Sequence, residues 1–221
     1  MKPTILIFFT FIFLLTFNAS AERIIKLKTS KGEIVLKLYN ETPKHRDNFI
    51  KLIKQKYYDS ILFHRVIKDF MIQAGDPESK RAAKDQRLGS GDVGYKIPAE
   101  FYPQLFHKRG VLAAARDNNP EKASSGNQFY IVQGKVFTDS SLNEVEIRRL
   151  GGRKIPEVHR EVYKTLGGAP HLDSNYTVFG EVVKGMGVVD AIAGVERDAF
   201  DRPKEDIRII KMRISRKLLF F

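Results

Sequence analysis

The chain contains no cysteine, and this absence removes several kinds of chemistry at once. Without cysteine there is no disulfide, no thiolate nucleophile and no zinc site built on sulfur. A lipoprotein anchor is also excluded, because it needs a cysteine after the leader. The histidines are too scattered along the sequence to suggest a metal site, and no glycine run has the strand–loop–helix context of a phosphate site. We therefore expect neither a metal nor a cofactor.

The chain also lacks a cluster of positive charge. Its net charge is +12 over 221 residues, but the lysines and arginines are spread along the sequence rather than gathered into one stripe. Clustering on one face is the mark of a nucleic-acid site, so we expect no nucleic-acid partner. The hydrophobic content of 43% is sufficient for a sizeable core, and the length suits one folded domain.

The apolar run at the N-terminus is too short for a comfortable membrane span. It extends over residues 5–17, follows the positive charge of Lys2, and precedes Ala19 and Ala21 at the −3 and −1 positions of a cleavage site. This pattern predicts a signal peptide over residues 1–21, cleaved after Ala21. The remaining domain, 22–221, would be secreted or periplasmic with no stable membrane anchor. The alternative is an uncleaved N-terminus that anchors the chain in a membrane.

Alternating apolar and polar residues predict a mainly β domain with two helices in its core. Thr42 is the expected N-cap of the first helix, with Pro43 at its first position. The segment 78–100 is polar and contains glycine, which predicts a long loop. The predicted strands cover 24–28, 33–38, two short segments within 63–77, 110–116, 128–132, 177–183 and 207–214, and the second helix covers 186–193.

Residues 136–170 differ in character from the strands on either side. Helices are predicted over 143–150 and 156–166, and Val158, Val162 and Leu166 form an apolar stripe along the second. We expect a helical insertion that is too small to have a core of its own.

The stretch FHRVIKDFMIQAGDP, which begins at Phe63, predicts two short strands joined by a tight connection. The period-2 rule places Phe63, Arg65 and Ile67 on one face of the first strand, and Met71 and Gln73 on one face of the second. Polar side chains set among large apolar ones are typical of a pocket for a small ligand or a peptide. Taken alone, however, such an arginine is more often a paired structural residue, and Phe and Met are more often core residues.

Three further segments occur after this stretch in a fixed order: GVLAAAR, SSGNQFYI and HLDSNYTVFGEVVKGMGVVDAI. With all four in order, the chain resembles a cyclophilin-type peptidyl-prolyl cis-trans isomerase from about residue 24 to residue 215, apart from the insertion. The resemblance implies a closed eight-stranded antiparallel barrel capped by two helices, with the helical insertion near 136–170. Such an insertion resembles one in some secreted bacterial members. It also implies proline-containing peptides and unfolded exported proteins as partners, and we expect a monomer.

The resemblance assigns catalysis to Arg65, which would stabilise the twisted amide of an Xaa-Pro bond, and it lets Gln73 hold the adjacent carbonyl. The residues that it assigns to substrate binding are Phe70, Met71, Gln73, Ala115, Arg116, Gln128, Phe129, Tyr130, His171, Leu172 and Tyr176.

Four positions depart from the family pattern. Arg116 stands where the family often has Asn, Tyr130 replaces a Phe, and Tyr176 replaces a common His. His171 stands where the best-known members carry the Trp that cyclosporin contacts, so weak cyclosporin binding is expected. The changes at Arg116 and His171, with the basic charge and the insertion, leave one alternative open, a peptide-binding chaperone in which the fold is kept but catalysis is weak.

Two histidines outside the motifs and one short polar segment within the fourth motif carry weaker expectations. His45 and His159 lie on predicted helices and are expected to be exposed. Asp173, Ser174 and Asn175 are interpreted as a turn rather than as an acid site.

Overall fold

The computed structural model describes residues 23–215, so the predicted signal peptide and its cleavage site lie outside the described residues. No helix within this range is long and apolar enough to cross a membrane. The α-helices described in this range are α1 (Pro43–Lys54), α2 (Asp139–Arg148), α3 (Glu157–Thr165) and α4 (Met186–Ala193). The strands described there are β1 (Arg23–Thr29), β2 (Gly32–Leu38), β3 (Phe63–Ile67), β4 (Met71–Ala74), β5 (Lys96–Ile97), β6 (Val111–Ala114), β7 (Ser124–Ser125), β8 (Phe129–Val132), β9 (Val178–Lys184) and β10 (Ile209–Ile214).

Eight of these strands form one curled antiparallel sheet in the order β10-β1-β2-β9-β6-β8-β4-β3. The two-residue strands β5 and β7 pair separately, and β5 lies in the segment that was predicted as loop. Hairpin connections explain why β1 pairs with β2 and β3 with β4, since sequential strands joined by tight turns are antiparallel neighbours. The mainly β prediction is confirmed.

The prediction of a closed barrel is wrong, because the sheet stays open between β3 and β10. The chain segment before β10 lies along the outer edge of β3 in place of a strand ladder. Within it, Ile207 and Asp201 accept backbone hydrogen bonds from Phe63 and Val66 at 2.9 and 2.8 Å. A single bridge between Leu62 and Arg208 spans the gap at one end. This irregular segment provides acceptors for backbone N–H groups on the outer edge of β3, so the edge is covered without a strand ladder that would close the sheet into a barrel.

Alternating residues divide the sheet into two faces with two separate buried clusters. On β8, Phe129 and Ile131 join the main core beneath α1 and α4, whereas Tyr130 and Val132 join a second cluster on the opposite face. Phe49 of α1 packs edge-on against Phe129, with ring centroids 5.3 Å apart, which ties the helix to the sheet. The main core therefore supports the strands from one side, and the other side is free to form a site.

The N-terminus of α1 is capped by a residue from a distant part of the chain. Thr42 occupies the predicted cap position, but its side chain makes no cap hydrogen bond. Instead, Glu100 accepts from the backbone N–H groups of Lys44 and His45 at 3.1 and 3.0 Å. The His45 ring lies between Glu100 and Ser124, at 2.6 and 2.9 Å, so the expectation that His45 is exposed is wrong. Burial lowers the pKa of this histidine.

The helical insertion is present, but it packs differently from the expected pattern. Helix α2 begins earlier than predicted, at a capping box formed by Thr138 and Ser141. In α3 the apolar stripe faces solvent: Val158 is 70% exposed and Leu166 is 55% exposed. The buried residues of α3 are Arg160 and Tyr163. The insertion also has a small apolar cluster of its own, contrary to expectation, with Phe137, Leu142, Ile155 and Tyr163 as its buried members.

Candidate active site

A row of directly paired residues crosses four neighbouring strands on the face opposite the main core. Arg65 of β3 pairs with Gln73 of β4, Gln73 pairs with Tyr130 of β8, and Tyr130 pairs with Ala113 of β6. Directly opposed residues share a face of the sheet, so this register brings Arg65, Gln73 and Tyr130 into one surface. The small side chain of Ala113 leaves space beside the tyrosine.

A register shift at the start of β3 changes which residues share a face with Arg65. The shift lies between Phe63 and Arg65 in the ladder with β4. Phe63 consequently points into the main core, while Arg65 and Ile67 point to the opposite face. The expected common face of Phe63 and Arg65 is therefore wrong, because a bulge interrupts strict alternation.

The described residues form a pocket of about 160 Å³ beside Arg65, which we call the Arg65 pocket. Its lining brings together nine of the residues that the sequence assigned to catalysis or binding, which are Arg65 and eight of the binding residues. The lining residues are Arg65, Phe70, Met71, Gln73, Ala115, Arg116, Tyr130, Leu172 and Tyr176. Six of these nine residues are apolar or aromatic, and Arg65, Gln73 and Arg116 supply polar groups, a combination that suits a small ring held against a hydrogen-bonding rim.

Among residues 23–215 the Arg65 guanidinium makes one ion pair, with Asp201. Its Nε lies 3.5 Å from Oδ2 of Asp201, and the side chain is 43% exposed. Asp201 is itself held at Oδ1 by Arg197 at 3.1 Å, and its backbone carbonyl binds β3. Because the contact uses Nε, the two terminal nitrogens of Arg65 can donate to a ligand in the pocket.

Gln73 is fixed through a second amide rather than by Arg65. Its Nε2 donates to Oε1 of Gln128 at 3.0 Å, and Nε2 of Gln128 donates to the carbonyls of Gly89 and Gly91 at 2.9 and 3.1 Å. These bonds settle the amide orientations. The oxygen Oε1 of Gln73 then remains available to a ligand as an acceptor, and the second N–H of the Gln73 amide remains available as a donor.

A second cavity, of about 280 Å³, adjoins the Arg65 pocket and shares Gln73, Ala115 and Arg116 with it. The rest of its wall is polar and comes largely from the long loop around Gly89–Asp92 and from the ion pair of Lys96 with Asp117, 2.7 Å apart. An extended ligand seated in the Arg65 pocket would reach this polar cavity with a neighbouring group.

Arg116 and Tyr176 form one rim of the pocket together. The guanidinium carbon of Arg116 lies 4.9 Å from the centre of the Tyr176 ring, and its Nε and Nη1 donate to the carbonyls of Asn175 and Asp117 at 2.8 and 2.9 Å. The side chain is thus occupied at the rim. These contacts leave the backbone of Arg116 uninvolved, so a backbone role for this residue is compatible with them.

Three residues assigned to binding lie outside the lining of the Arg65 pocket. Phe129 is in the main core, because β8 turns it to the face opposite Tyr130, and its assignment to the pocket is corrected on that ground. Gln128 lines the polar cavity. His171 packs beside Phe70, with ring centroids 5.3 Å apart, and burial lowers its pKa to about 4, so the ring is neutral at pH 7.

The sequence interpretation missed two buried carboxylates that organise the site. Asp76, fully buried, accepts from the backbone N–H groups of Glu78, Gly89 and Gly91, which holds the loop that anchors Gln128. Its place in the G-D-P that follows Gln73 was the available signal. Asp173 does lie in a turn, but its carboxylate is turned inward and is hydrogen bonded to the His107 ring.

Within residues 23–215 no group of three or more His, Asp or Glu side chains is placed to hold a metal ion. The Arg65 pocket offers the guanidinium of Arg65, the oriented amide of Gln73 and a wall of rings and methyl groups, while the second guanidinium, that of Arg116, is occupied at the rim. What this set can do is lower the barrier of a rotation by favouring a twisted geometry.

Comparison with known proteins gives a consistent picture over nearly the whole described chain. Residues 24–214 match the family model described as cyclophilin type peptidyl-prolyl cis-trans isomerase/CLD. A Neurospora crassa protein named peptidyl-prolyl cis-trans isomerase-like 1 is 35% identical over 195 residues, which cover 87% of this chain and 94% of that protein. A Streptococcus pyogenes protein described as a bifunctional phosphatase/peptidyl-prolyl cis-trans isomerase is 39% identical over 188 residues; the chain spans 37% of its length.

A solved structure has the same fold. The crystal structure of a cyclophilin type peptidyl-prolyl cis-trans isomerase from Cryptosporidium parvum aligns with a TM-score of 0.67 at 23% identity, covering 90% of this chain and 100% of that one. The same Cryptosporidium protein, crystallised in the presence of the dipeptide Ala-Pro, aligns with a TM-score of 0.65.

Proposed function

As a member of the cyclophilin-type peptidyl-prolyl cis-trans isomerase family, the protein is a peptidyl-prolyl cis-trans isomerase, and we propose that Arg65 is its catalytic residue. The Arg65 pocket then holds the proline ring of the substrate. The observation that carries this proposal is the row formed by Arg65, Gln73 and Tyr130 across three paired strands, with the Arg65 pocket beside it.

Rotation about an Xaa-Pro bond has a barrier of about 18–20 kcal/mol, because resonance gives the C–N bond double-bond character. In the twisted amide the nitrogen lone pair is localised, so the nitrogen accepts a hydrogen bond better than it does in the planar state. A donor aimed at this nitrogen binds the transition state more tightly than the ground state. A terminal N–H of Arg65 suits this role, since the guanidinium stays charged at physiological pH.

The other residues of the pocket bind the proline ring and the peptide backbone. Phe70, Met71, Tyr130 and Leu172 contact the proline ring; the last three are buried and Phe70 is partly buried, so this wall excludes water from the rotating bond. Gln73, oriented by Gln128, holds a backbone carbonyl of the peptide while the bond turns. The proline-binding role is also supported by the Ala-Pro dipeptide used with the Cryptosporidium relative.

The test is isomerisation of an Ala-Pro peptide by wild type, Arg65→Ala and Arg65→Lys. One charged donor that contributes about 3–4 kcal/mol in the transition state corresponds to a few hundred-fold in kcat/KM for Arg65→Ala. Lys68→Ala is the matched control, because it removes one exposed positive charge at the end of the same strand.

Equal activity of wild type and Arg65→Ala would contradict the catalytic role of Arg65. An inactive wild type that still suppresses aggregation of a proline-free client, with or without Arg65, would favour the chaperone alternative.

We also propose that the protein acts on exported proteins, secreted or periplasmic like itself. The support is the N-terminal sequence: Lys2, the apolar run and the small residues Ala19 and Ala21. Slow Xaa-Pro rotation limits the folding of many chains, so an isomerase in the export compartment accelerates that step. Intact mass of the protein recovered outside the cytoplasm should correspond to a chain that starts at Glu22. A mass that includes Met1, in a membrane fraction, would support the uncleaved anchor instead.

A further inference from the structure

A chain of buried polar contacts runs from the helical insertion to the Arg65 pocket. The hydroxyl of Tyr163, in α3, donates to Oδ2 of Asp173 at 2.7 Å. Oδ1 of Asp173 accepts from the backbone N–H of His107 at 2.8 Å and lies 2.9 Å from Nδ1 of the same residue. Nε2 of His107 lies 2.9 Å from the hydroxyl of Tyr130, a pocket wall. We call Tyr163, Asp173, His107 and Tyr130 the relay.

The hydrogens along the relay can be assigned from the chemistry of its groups. A carboxylate only accepts, so Nδ1 of His107 donates to Asp173, and in the tautomer with its hydrogen on Nδ1 the ring accepts at Nε2 from the hydroxyl of Tyr130. Burial raises the pKa of the Tyr130 hydroxyl well above its ordinary value, and burial raises that of Tyr163 as well, so both keep their protons. Every bond in the relay therefore has one donor and one acceptor.

All four members of the relay are almost inaccessible to solvent. Tyr163 and His107 are fully buried, Tyr130 is 4% exposed and Asp173 is 9% exposed. Water cannot replace a lost partner in such a place, so each group depends on its neighbour for satisfaction. Removal of the hydroxyl at one end therefore disturbs the hydrogen bonds between all the members of the relay.

We propose that Tyr163 is a positioning residue of the isomerase pocket, which it reaches through Asp173 and His107 to fix the ring of Tyr130. This inference rests on the proposed function, since it takes the Arg65 pocket as the proline site. It gives the insertion a task in catalysis that its position outside the sheet does not suggest.

Asp173 connects the relay to a second wall of the pocket. Its neighbour in sequence, Leu172, lines the cavity, and the backbone carbonyl of Asp173 accepts from Arg153 of the insertion at 2.8 Å. The backbone of His107 adds another tie, because its carbonyl accepts from Ala169 at 2.8 Å. The insertion thus supports two walls of the Arg65 pocket, Tyr130 through the relay and Leu172 through the backbone carbonyl of Asp173.

The insertion is built firmly enough to position a hydroxyl. Arg160 of α3 lies 2.9 Å from Glu146 of α2, and both side chains are nearly buried. Phe106, which precedes His107, stacks on His159 at 3.8 Å and meets Tyr163 edge-on at 5.5 Å. Contacts of this kind fix the ring of Tyr163 between the insertion and the main domain, so its hydroxyl has one orientation.

The experiment is a double-mutant cycle with Tyr163→Phe and Tyr130→Phe, read as kcat and KM for an Ala-Pro peptide. Each change removes one hydroxyl and keeps the ring. We expect Tyr163→Phe to lower kcat/KM about fivefold, mostly through KM, because one hydrogen bond is lost and the looser wall weakens ground and transition states alike. In the Tyr130→Phe background the same change should have no further effect, since its path to the pocket is already cut.

Thr165→Val is the matched control, because it removes an exposed hydroxyl from the same helix, where Thr165 contacts only carbonyls of its own turn. It should leave kcat/KM unchanged. Thermal unfolding of every variant separates loss of folded protein from loss of activity per folded molecule.

A merely structural role predicts a different pattern: Tyr163→Phe lowers the melting temperature equally in both backgrounds and leaves kcat/KM unchanged. That result, or equal losses of kcat/KM in both backgrounds, would overturn the relay. Failure of the proposed function is distinguishable, because Arg65→Ala would then be as active as wild type whatever Tyr163→Phe does.

Discussion

His64, next to the proposed catalytic arginine, makes the free energy of unfolding of this protein depend on pH in the acidic range. The side chain is 4% exposed, and neither ring nitrogen has a hydrogen-bond partner among residues 23–215. The pKa of this histidine is lowered to about 4. Burial is the largest cause, Asp76 opposes it, and Arg65 and Arg202 act in the same direction as burial. The folded protein therefore keeps a neutral imidazole in a place that excludes its charged form.

The direction and size of the effect follow from the two pKa values. Well above pH 6.5 the ring is neutral in both the folded and the unfolded protein, so its titration does not change the free energy of unfolding. As the pH falls from 6.5 towards 4, only the unfolded chain takes up the proton, so the free energy of unfolding decreases. With folded and unfolded values of about 4 and 6.5, the loss is about 2 kcal/mol at pH 5 and about 3 kcal/mol at pH 4.

The assay is urea unfolding of wild type and His64→Leu between pH 7.5 and 5. Leu is apolar and of similar size, and it does not titrate. The difference in unfolding free energy between the two proteins should shift by about 2 kcal/mol in favour of the variant at pH 5. The other histidines remain in both proteins, so their contributions cancel. Parallel pH profiles would refute the reasoning, as would an imidazole NMR signal of His64 that titrates near pH 6.5.

Two further predictions concern long-range contacts. Asp201→Asn should lower kcat/KM about threefold at low salt, because a weak ion pair with Arg65 is lost. An electrostatic contact is screened by salt, so the difference in kcat/KM from wild type should vanish at 1 M salt. A loss of kcat/KM that persists at high salt would contradict this prediction. Glu100→Ala should cost about 2 kcal/mol in urea unfolding, because two backbone N–H groups of α1 and His45 lose their acceptor. Thr42→Val, at the formal cap position, should be nearly neutral, and the reverse ranking would assign the cap to Thr42.

Much of the fold was predictable because it depends on local pattern. Strands β1, β2 and β9 were recognised from alternation, α1 was recognised from helical spacing with Pro43 at its start, and α4 covers the predicted residues 186–193. The α3 stripe was misleading for a physical reason: Val158 and Leu166 face solvent, while Tyr163 and Arg160 are buried because both find polar partners inside. Hydrophobic periodicity cannot detect a helix face that is buried through paired polar groups.

The site was predictable in part through the motif that contains Arg65, Met71 and Gln73, which lie together at one pocket as the resemblance implied. Phe129 was misplaced because Phe129 and Tyr130 alternate across the sheet, and the sequence alone does not say which of the two faces the main core. The pair differs only in one hydroxyl, and that hydroxyl has its partner in His107, 23 residues away.

By itself, the sequence determined the strand and helix periods, the order of the four motifs and the presence of one arginine and one glutamine beside apolar residues. These are properties of neighbours along the chain, and short-range spacing carries them. Only the tertiary structure decided where the sheet stays open, which residue caps α1, what faces Arg65 and how the insertion reaches Tyr130. Each of those depends on a polar group that finds its partner far along the chain, and folding, not local pattern, selects that partner.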